Sequence, residues 1–383
     1  MGLREHAPLP DPSPARARAF LKIQDGCDES CSYCVVPRVR PRLRSVPPEA
    51  VAARLRSLAA AGVPEIVLCG VRLGRYYARD AAGMQTPLAG LLERLLEIPG
   101  RFRLRLSSLE IGEADDRLAD LVAGFRGRLC PHLHLPLQSG SDAVLRRMRR
   151  PYCAAAFAAR VEALRRRIPD LALFTDIITG FPGETAAESR ESLDFARRLG
   201  LCGLHIFRYS PRPGTVAAAM PDQVRAAAVR ERLQSWQGLD RSLRQGHARR
   251  TVGRCRVAAP LKTKAQALTE DFLTVRLDRR LVPGLWRVLV TGASGGKAQA
   301  RVLGPWMGQE TAWPPDGASG PRGGPGGFAP PTAWPPDGAS GPRGGRTVSR
   351  RQRAARNFLA GSGKYRYNLQ LHGFPWLNVY SAK

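Results

Sequence analysis

The sequence contains no apolar stretch approaching the roughly 18–20 residues that a membrane-spanning helix needs. Its Pro-, Ala- and Arg-rich first 18 residues hold no hydrophobic segment of the kind that directs secretion. Both absences point to a cytosolic protein with no membrane partner. Acidic residues are scarce, with 32 Asp and Glu against 60 Lys and Arg and a formal net charge of +28. The excess is spread over helical segments as well as tails, and a field of that sign favours polyanions, nucleic acid above all. A genome biased toward Arg and Ala would give the same composition with no such partner, so charge alone leaves both readings open. At 383 residues with 43% hydrophobic content, the chain is long enough for one large core and smaller attachments.

Disulfides are also not expected, because cytosolic thiols are kept reduced. Of eight cysteines, Cys27, Cys31 and Cys34 crowd into eight positions and suggest a metal site. Cys69, Cys130, Cys153, Cys202 and Cys255 are scattered and read as small buried hydrophobes.

Along the chain, residues 1–17 read as a flexible leader. Residues 18–247 alternate apolar runs (20–24, 65–69, 102–107, 132–136, 171–178 and 204–209) with stretches of helical periodicity such as 48–61, 88–98 and 184–199. Strand–helix alternation implies parallel strands with helical crossovers. Six units predict an α/β fold, a partial (β/α)6 TIM-like barrel, with an open doubly wound sheet as the competing architecture. Residues 248–303 change character: 252–258, 272–277 and 286–291 read as strands of a small β-barrel of OB-like type. Residues 304–345 are Pro/Gly-rich and carry the string TAWPPDGASGPRGG twice, from Thr311 and from Thr332. Such composition cannot bury enough apolar surface to order itself. The tail 346–383 is basic and then aromatic, and reads as a nucleic-acid-binding tail or as translation past a frameshift.

The cysteines form a C-x3-C-x2-C pattern directly after the first predicted strand. Three thiolates can each hold one iron of a [4Fe–4S] cubane and leave the fourth iron open to a cofactor. A structural zinc would want a fourth Cys or His nearby, but His6 lies well upstream and no histidine follows until His132. The loop leaves the strand at the barrel end where function gathers. Gly70, Gly140, Gly180 and Gly183 follow other strands at the same rim, where small residues let a cofactor approach the backbone; singly, each is an ordinary turn glycine.

These residues resemble the radical S-adenosylmethionine superfamily, whose signature is C-x3-C-x2-C with an aromatic, here Tyr33, before the third cysteine. Within it the chain is similar to the methylthiotransferases, through LKIQDGC (21–27), LCGVRLG (68–74), RLSSLE (105–110), CPHLHLPLQSGSD (130–142), TDIITGFPGET (175–185) and YSPRPGT (209–215). The wording is most similar to the branch that methylthiolates N6-threonylcarbamoyladenosine beside the tRNA anticodon. The resemblance covers roughly residues 18–303 and matches the small barrel, loosely, to the family's TRAM RNA-binding domain.

It implies a [4Fe–4S] cluster on Cys27, Cys31 and Cys34, S-adenosylmethionine as cofactor, and methylthiolation at C2 of an adenine in the anticodon loop. A reducing donor of flavodoxin or ferredoxin type would feed the cluster. Tyr33 and Gly70 would line the cofactor, with Ser108, Gln138, Ser139 and Asp176 as further pocket residues; strand-end polar residues also serve as helix caps.

The chain departs from the family in four ways. The resemblance leads one to expect a preceding domain whose three cysteines hold a second, sulfur-carrying cluster, and no such residues precede Phe20. A misplaced start, a truncation or a partner chain would each account for this. The segment Arg40-Pro41-Arg42-Leu43-Arg44-Ser45-Val46 replaces an Arg-Gly-Arg and Ser-Arg run, Arg208 replaces an uncharged residue, and residues after Gly304 have no counterpart. A radical enzyme acting on another substrate, such as a ribosomal protein, and a non-catalytic RNA-binding remnant are the alternative readings.

Overall fold

The computed structural model describes residues 17–261, 265–295 and 297–308. The expected leader apart from Ala17, nearly all of the Pro/Gly repeat, and the tail lie outside these residues. Strand β1 (Arg18–Asp25) runs into the cysteine loop and the single-turn helix α1 (Val36–Val39). Strand β2 (Arg44–Ser45) then returns antiparallel to the end of β1. Pro41 lies in the connection, outside the paired residues, so its missing N–H leaves the ladder intact. Helix α2 (Pro48–Ala60), β3 (Glu65–Gly70), the hairpin β4 (Tyr77–Arg79) and β5 (Gln85–Pro87), α3 (Leu88–Leu96) and β6 (Arg103–Leu106) follow. The chain continues through α4 (Asp116–Gly124), β7 (His132–His134), α5 (Asp142–Arg147), α6 (Ala154–Arg167), β8 (Ala172–Thr179), α7 (Ala186–Arg198), β9 (Gly203–Arg208) and the long α8 (Ala226–Thr251).

The parallel pairs β1–β3–β6 and β7–β8–β9 form two sheets, joined by bridges at Leu104↔Leu129 and Ser108↔His134. The six parallel strands therefore follow one another in sequence order, with no pairing between first and last. A doubly wound sheet would reverse its order at a switch point; this is the partial barrel. Strand β3 is buried at every position, as a parallel strand covered on both faces must be. Leu88, Leu91, Leu92 and Leu95 give α3 the apolar stripe that packs into the core. Helix α7 starts at a capping box, in which Thr185 accepts from the Glu188 N–H and Glu188 from the Thr185 N–H. Among the described residues, no helix is long and apolar enough to cross a membrane.

The second module is a closed five-stranded barrel of β10 (Cys255–Pro260), β11 (Gln266–Thr269), β12 (Thr274–Leu277), β13 (Trp286–Ser294) and β14 (Lys297–Pro305). Two of its strands escape the sequence pattern. Strand β11 is four residues long, and β14 turns only Ala298, Ala300 and Val302 inward, so its apolar alternation is faint. The scattered cysteines need a correction as well. Cys69, Cys130 and Cys202 are buried, but Cys153 and Cys255 are exposed. Cys153 precedes α6, where its sulfur accepts the Ala156 N–H at 3.4 Å, and Cys255 opens β10 with its side chain outward.

The two barrels are joined through a buried carboxylate. Glu65, fully buried at the start of β3, meets Arg18 at 2.6 Å, Arg103 at 2.6 Å and Arg105 at 2.9 Å. Arg103 also donates to the carbonyls of Val257 (2.6 Å) and Leu268 (2.8 Å), and Arg105 to those of Thr269 (2.9 Å) and Glu270 (3.0 Å). Burial alone would raise the Glu65 pKa, but the three guanidiniums hold it well below the carboxylate range. The turn after β11 inserts Phe272, at φ 64°, under the larger barrel. There it stacks on His132 at 4.5 Å and meets Phe174 edge-on at 5.3 Å. All these contacts lie at or near the N-terminal ends of the barrel strands.

Glu65→Ala would strand two buried cations, Arg103 and Arg105, and the partly buried Arg18. It is expected to cost about 3–5 kcal/mol in urea unfolding, whereas Glu93→Ala, which removes the half-exposed pair with Arg117, is expected to cost at most about 1 kcal/mol. Equal losses would show that the junction does not depend on the carboxylate.

Candidate metal centre

The cysteine loop leaves β1 at its C-terminal end. Gly26 makes the turn possible: its φ is 85°, and a Cβ there would stand 2.0 Å from the Arg42 carbonyl oxygen. The Cys27 N–H donates to the Arg40 carbonyl at 3.1 Å. Gln24, buried beneath, donates to the carbonyls of Asp25 (3.0 Å) and Gly26 (2.9 Å) and accepts the Arg72 N–H at 2.8 Å. On the far side, the Ser32 hydroxyl donates to the Arg147 carbonyl at 2.7 Å, and the Ser32 carbonyl accepts from the Ala217 N–H at 2.7 Å. The loop is thus fixed at both ends.

Its three thiols are half-buried and free. Burial raises the Cys27 pKa and pushes Cys34 up to about 11, so a metal binding there displaces protons. Among the described residues, only His134, Asp176 and His205 bring three ligand atoms within 4.8 Å of each other. The three cysteines, with no fourth Cys or His beside them in the loop, are a donor set that fits a cubane with one open iron better than a closed zinc site.

The other residues singled out from the sequence fall around the same rim. Gly70, at the end of β3, is buried against Gln24, whose Cβ lies 2.8 Å from where a Gly70 Cβ would be. Tyr33 packs in an apolar patch with Phe181, Tyr209, Ile178 and Met148. Ser108 bridges to His134, and Gln138 to Ile177. Gln138 has φ 66° and an Oε1 that is buried without a hydrogen-bond partner; a strained residue with an unmet polar atom marks a place for a ligand. Ser139 turns away, its Oγ 2.7 Å from that of Ser192 on α7. Asp176 lies deeper, with Oδ1 2.8 Å from His134 Nε2 and 3.4 Å from His205 Nδ1, while the two imidazoles stack at 4.8 Å. Burial opposes ionisation of Asp176, but the two histidines outweigh it and hold the pKa well below the usual range.

Sequence reasoning missed several of these groups. His134 and His205 come together only because β7, β8 and β9 are neighbours, and no spacing announces that. Thr179 ends β8 and Tyr209 directly follows β9, each with a hydroxyl oxygen that is buried without a partner. Tyr209 opens the YSPRPGT stretch, which was the available signal. With Gln138 Oε1, these unmet oxygens at the strand ends fit a polar cofactor such as S-adenosylmethionine.

Residues 21–196 match the sequence profile of the Radical SAM superfamily. Threonylcarbamoyladenosine tRNA methylthiotransferase MtaB of Thermotoga maritima is 42% identical over 221 residues, which cover 57% of this chain and 49% of that protein. The chain thus spans about half the length of this curated relative. Among solved structures, the radical S-adenosylmethionine methyltransferase TsrM of Kitasatospora setae is similar at 19% identity and a TM-score of 0.43, over 52% of this chain and 38% of that one. Methylornithine synthase (PylB) is similar at 16% identity and a TM-score of 0.40, over 58% and 61%. Residues 21–196, with the three cysteines on the first strand's loop, are thus similar to the radical SAM superfamily over a little under half of the chain.

Proposed function

We propose that the chain is the core of a tRNA methylthiotransferase that modifies C2 of N6-threonylcarbamoyladenosine beside the anticodon. The observation that carries this is a trio of thiols at the C-terminal end of a barrel strand, within a core 42% identical to an enzyme of that name. A [4Fe–4S] cluster held by Cys27, Cys31 and Cys34 would supply the electron that breaks a carbon–sulfur bond of S-adenosylmethionine.

The protein's own residues place the reactants. Gly26 and Gln24 set the loop's entry, and Ser32 pins it against the turn after α5. Tyr33, Gly70, Ser108, Gln138 and Asp176 line the rim on which the cofactor and the adenine would meet, and the apolar patch around Tyr33 and Phe181 excludes water there. A base from a single-stranded loop can be splayed into such a site. Exposed Arg276, Arg279, Arg280 and Arg301 on the small barrel, here assigned to a TRAM-like module of residues 248–303, support a grip on the RNA backbone. The sulfur donor that the resemblance attributes to a preceding domain has to come from outside the described residues, and a flavodoxin- or ferredoxin-like protein would deliver electrons.

Reconstituted without oxygen, the parent chain is expected to be brown and to release 5′-deoxyadenosine from S-adenosylmethionine under reductant. Cys31→Ala should lose the colour and depress the product by more than the 10–100-fold that loss of an outer partner costs, roughly. Gly26→Ala should keep its far-ultraviolet circular dichroism yet load little iron. A colourless parent that yields no 5′-deoxyadenosine rules the reading out.

Reversing Arg276, Arg279 and Arg280 to Glu should weaken tRNA binding, with the slope of log K against log salt falling by about 1 for each phosphate that an arginine no longer neutralises. Nucleoside mass analysis of tRNA from a deletion strain decides the substrate: undiminished methylthio-nucleosides would remove tRNA from that role.

A further inference from the structure

Arg150 is a buried cation in contact with one of the three sulfurs. Helix α5 ends at Arg147, and Arg149 takes φ 57°, which reverses the chain and sends the next side chain inward. The Arg150 side chain is 3% exposed. Its Nη1 donates to Cys31 Sγ at 3.2 Å, its Nε to the Tyr152 hydroxyl at 3.1 Å, and its Nη2 to the Glu110 carboxylate. The guanidinium carbon lies 5.0 Å from the centre of the Tyr152 ring, whose hydroxyl donates in turn to the Pro136 carbonyl at 2.9 Å.

Glu110 is fixed as well. It forms a capping box with Glu113, whose Oε1 accepts from Arg72 at 2.6 Å. Each partner is locked by another, so Arg150 has one geometry available. The remaining charges around the cysteine loop are mixed: Arg72 reaches Asp28, Glu29 and Glu113, and Arg75 reaches Asp28.

We propose that Arg150 is a positioning residue that sets the reduction potential of the site at Cys31, with Glu110 as its counter-charge. The inference rests on the reading of Cys27, Cys31 and Cys34 as cluster ligands. Taking up an electron adds one negative charge to a thiolate-bound cluster. A guanidinium stays positive throughout the accessible pH range, and at hydrogen-bonding distance from a ligand sulfur it favours the reduced form. Hydrogen bonds to the sulfurs and local burial are the means by which a protein moves such a potential. Glu110 opposes this, because its carboxylate neutralises part of the cation. Removing the two groups must therefore move the potential in opposite directions, a signature that mere loss of packing lacks.

The test is a redox titration of the oxygen-free, reconstituted full chain, followed by the electron paramagnetic resonance signal of the reduced cluster, with iron content and circular dichroism as controls. Arg150→Gln is expected to shift the midpoint to more negative values, Glu110→Gln to more positive ones, and Arg150→Lys to fall between Arg150→Gln and the parent. If Arg150→Gln fails to retain iron, Glu110→Gln and Arg150→Lys still decide the sign. Unshifted midpoints, or shifts in the same direction for Arg150→Gln and Glu110→Gln, overturn this role while leaving the cluster assignment standing. A parent protein with no cluster signal overturns both.

Discussion

One buried carboxylate holds the molecule's two halves together. Glu65 is placed at the first residue of β3, where three guanidiniums from β1 and β6 converge on it. Two of those side chains continue into the backbone carbonyls of the small barrel. Charges this deep are tolerated only when every one has a partner. The small barrel's carbonyls supply the remaining partners of Arg103 and Arg105, and Phe272 closes the space beneath His132 and Phe174. The small module keeps a core of its own, but its attachment fixes which end of the larger barrel's strands is sealed and which is left for chemistry.

The sequence made the larger barrel legible because its strands are short apolar runs separated by long helical segments. The order of six such units leaves few topologies open. All six predicted strands are present, with ends shifted by a few residues at most. The small barrel was harder, because strands such as β14 present alanines inward and carry little hydrophobic contrast. The exposed Cys153 and Cys255 illustrate the same limit: a cysteine's burial depends on which way its strand or helix end faces, and one residue carries no periodicity.

At the rim, local pattern and long-range contact contributed differently. The three cysteines announce themselves because their ligand spacing is confined to one loop. Arg150 and Glu110 do not, since 119 residues separate Arg150 from Cys31 and 40 separate it from Glu110. Only the closing of the barrel brings α5 beside the cysteine loop. Ser139 shows the reverse case, in which a polar residue inside a specific motif has its hydroxyl turned to a neighbouring helix. The His134–Asp176–His205 group likewise needs three adjacent strands before it exists.

The sealed and open ends of the larger barrel face opposite ways. Strand β1 spans eight residues, so the junction and the cysteine loop stand about 25 Å apart at roughly 3.3 Å per residue. A ligand touching both the arginine-bearing small barrel and the thiol rim has to bridge that gap along the outside of the molecule. A free nucleoside is far too short to do so, whereas a folded polynucleotide is not. In the proposed reading, the fold works as a caliper, and a preference for whole RNA over its building blocks would follow from span rather than from any contact to the base.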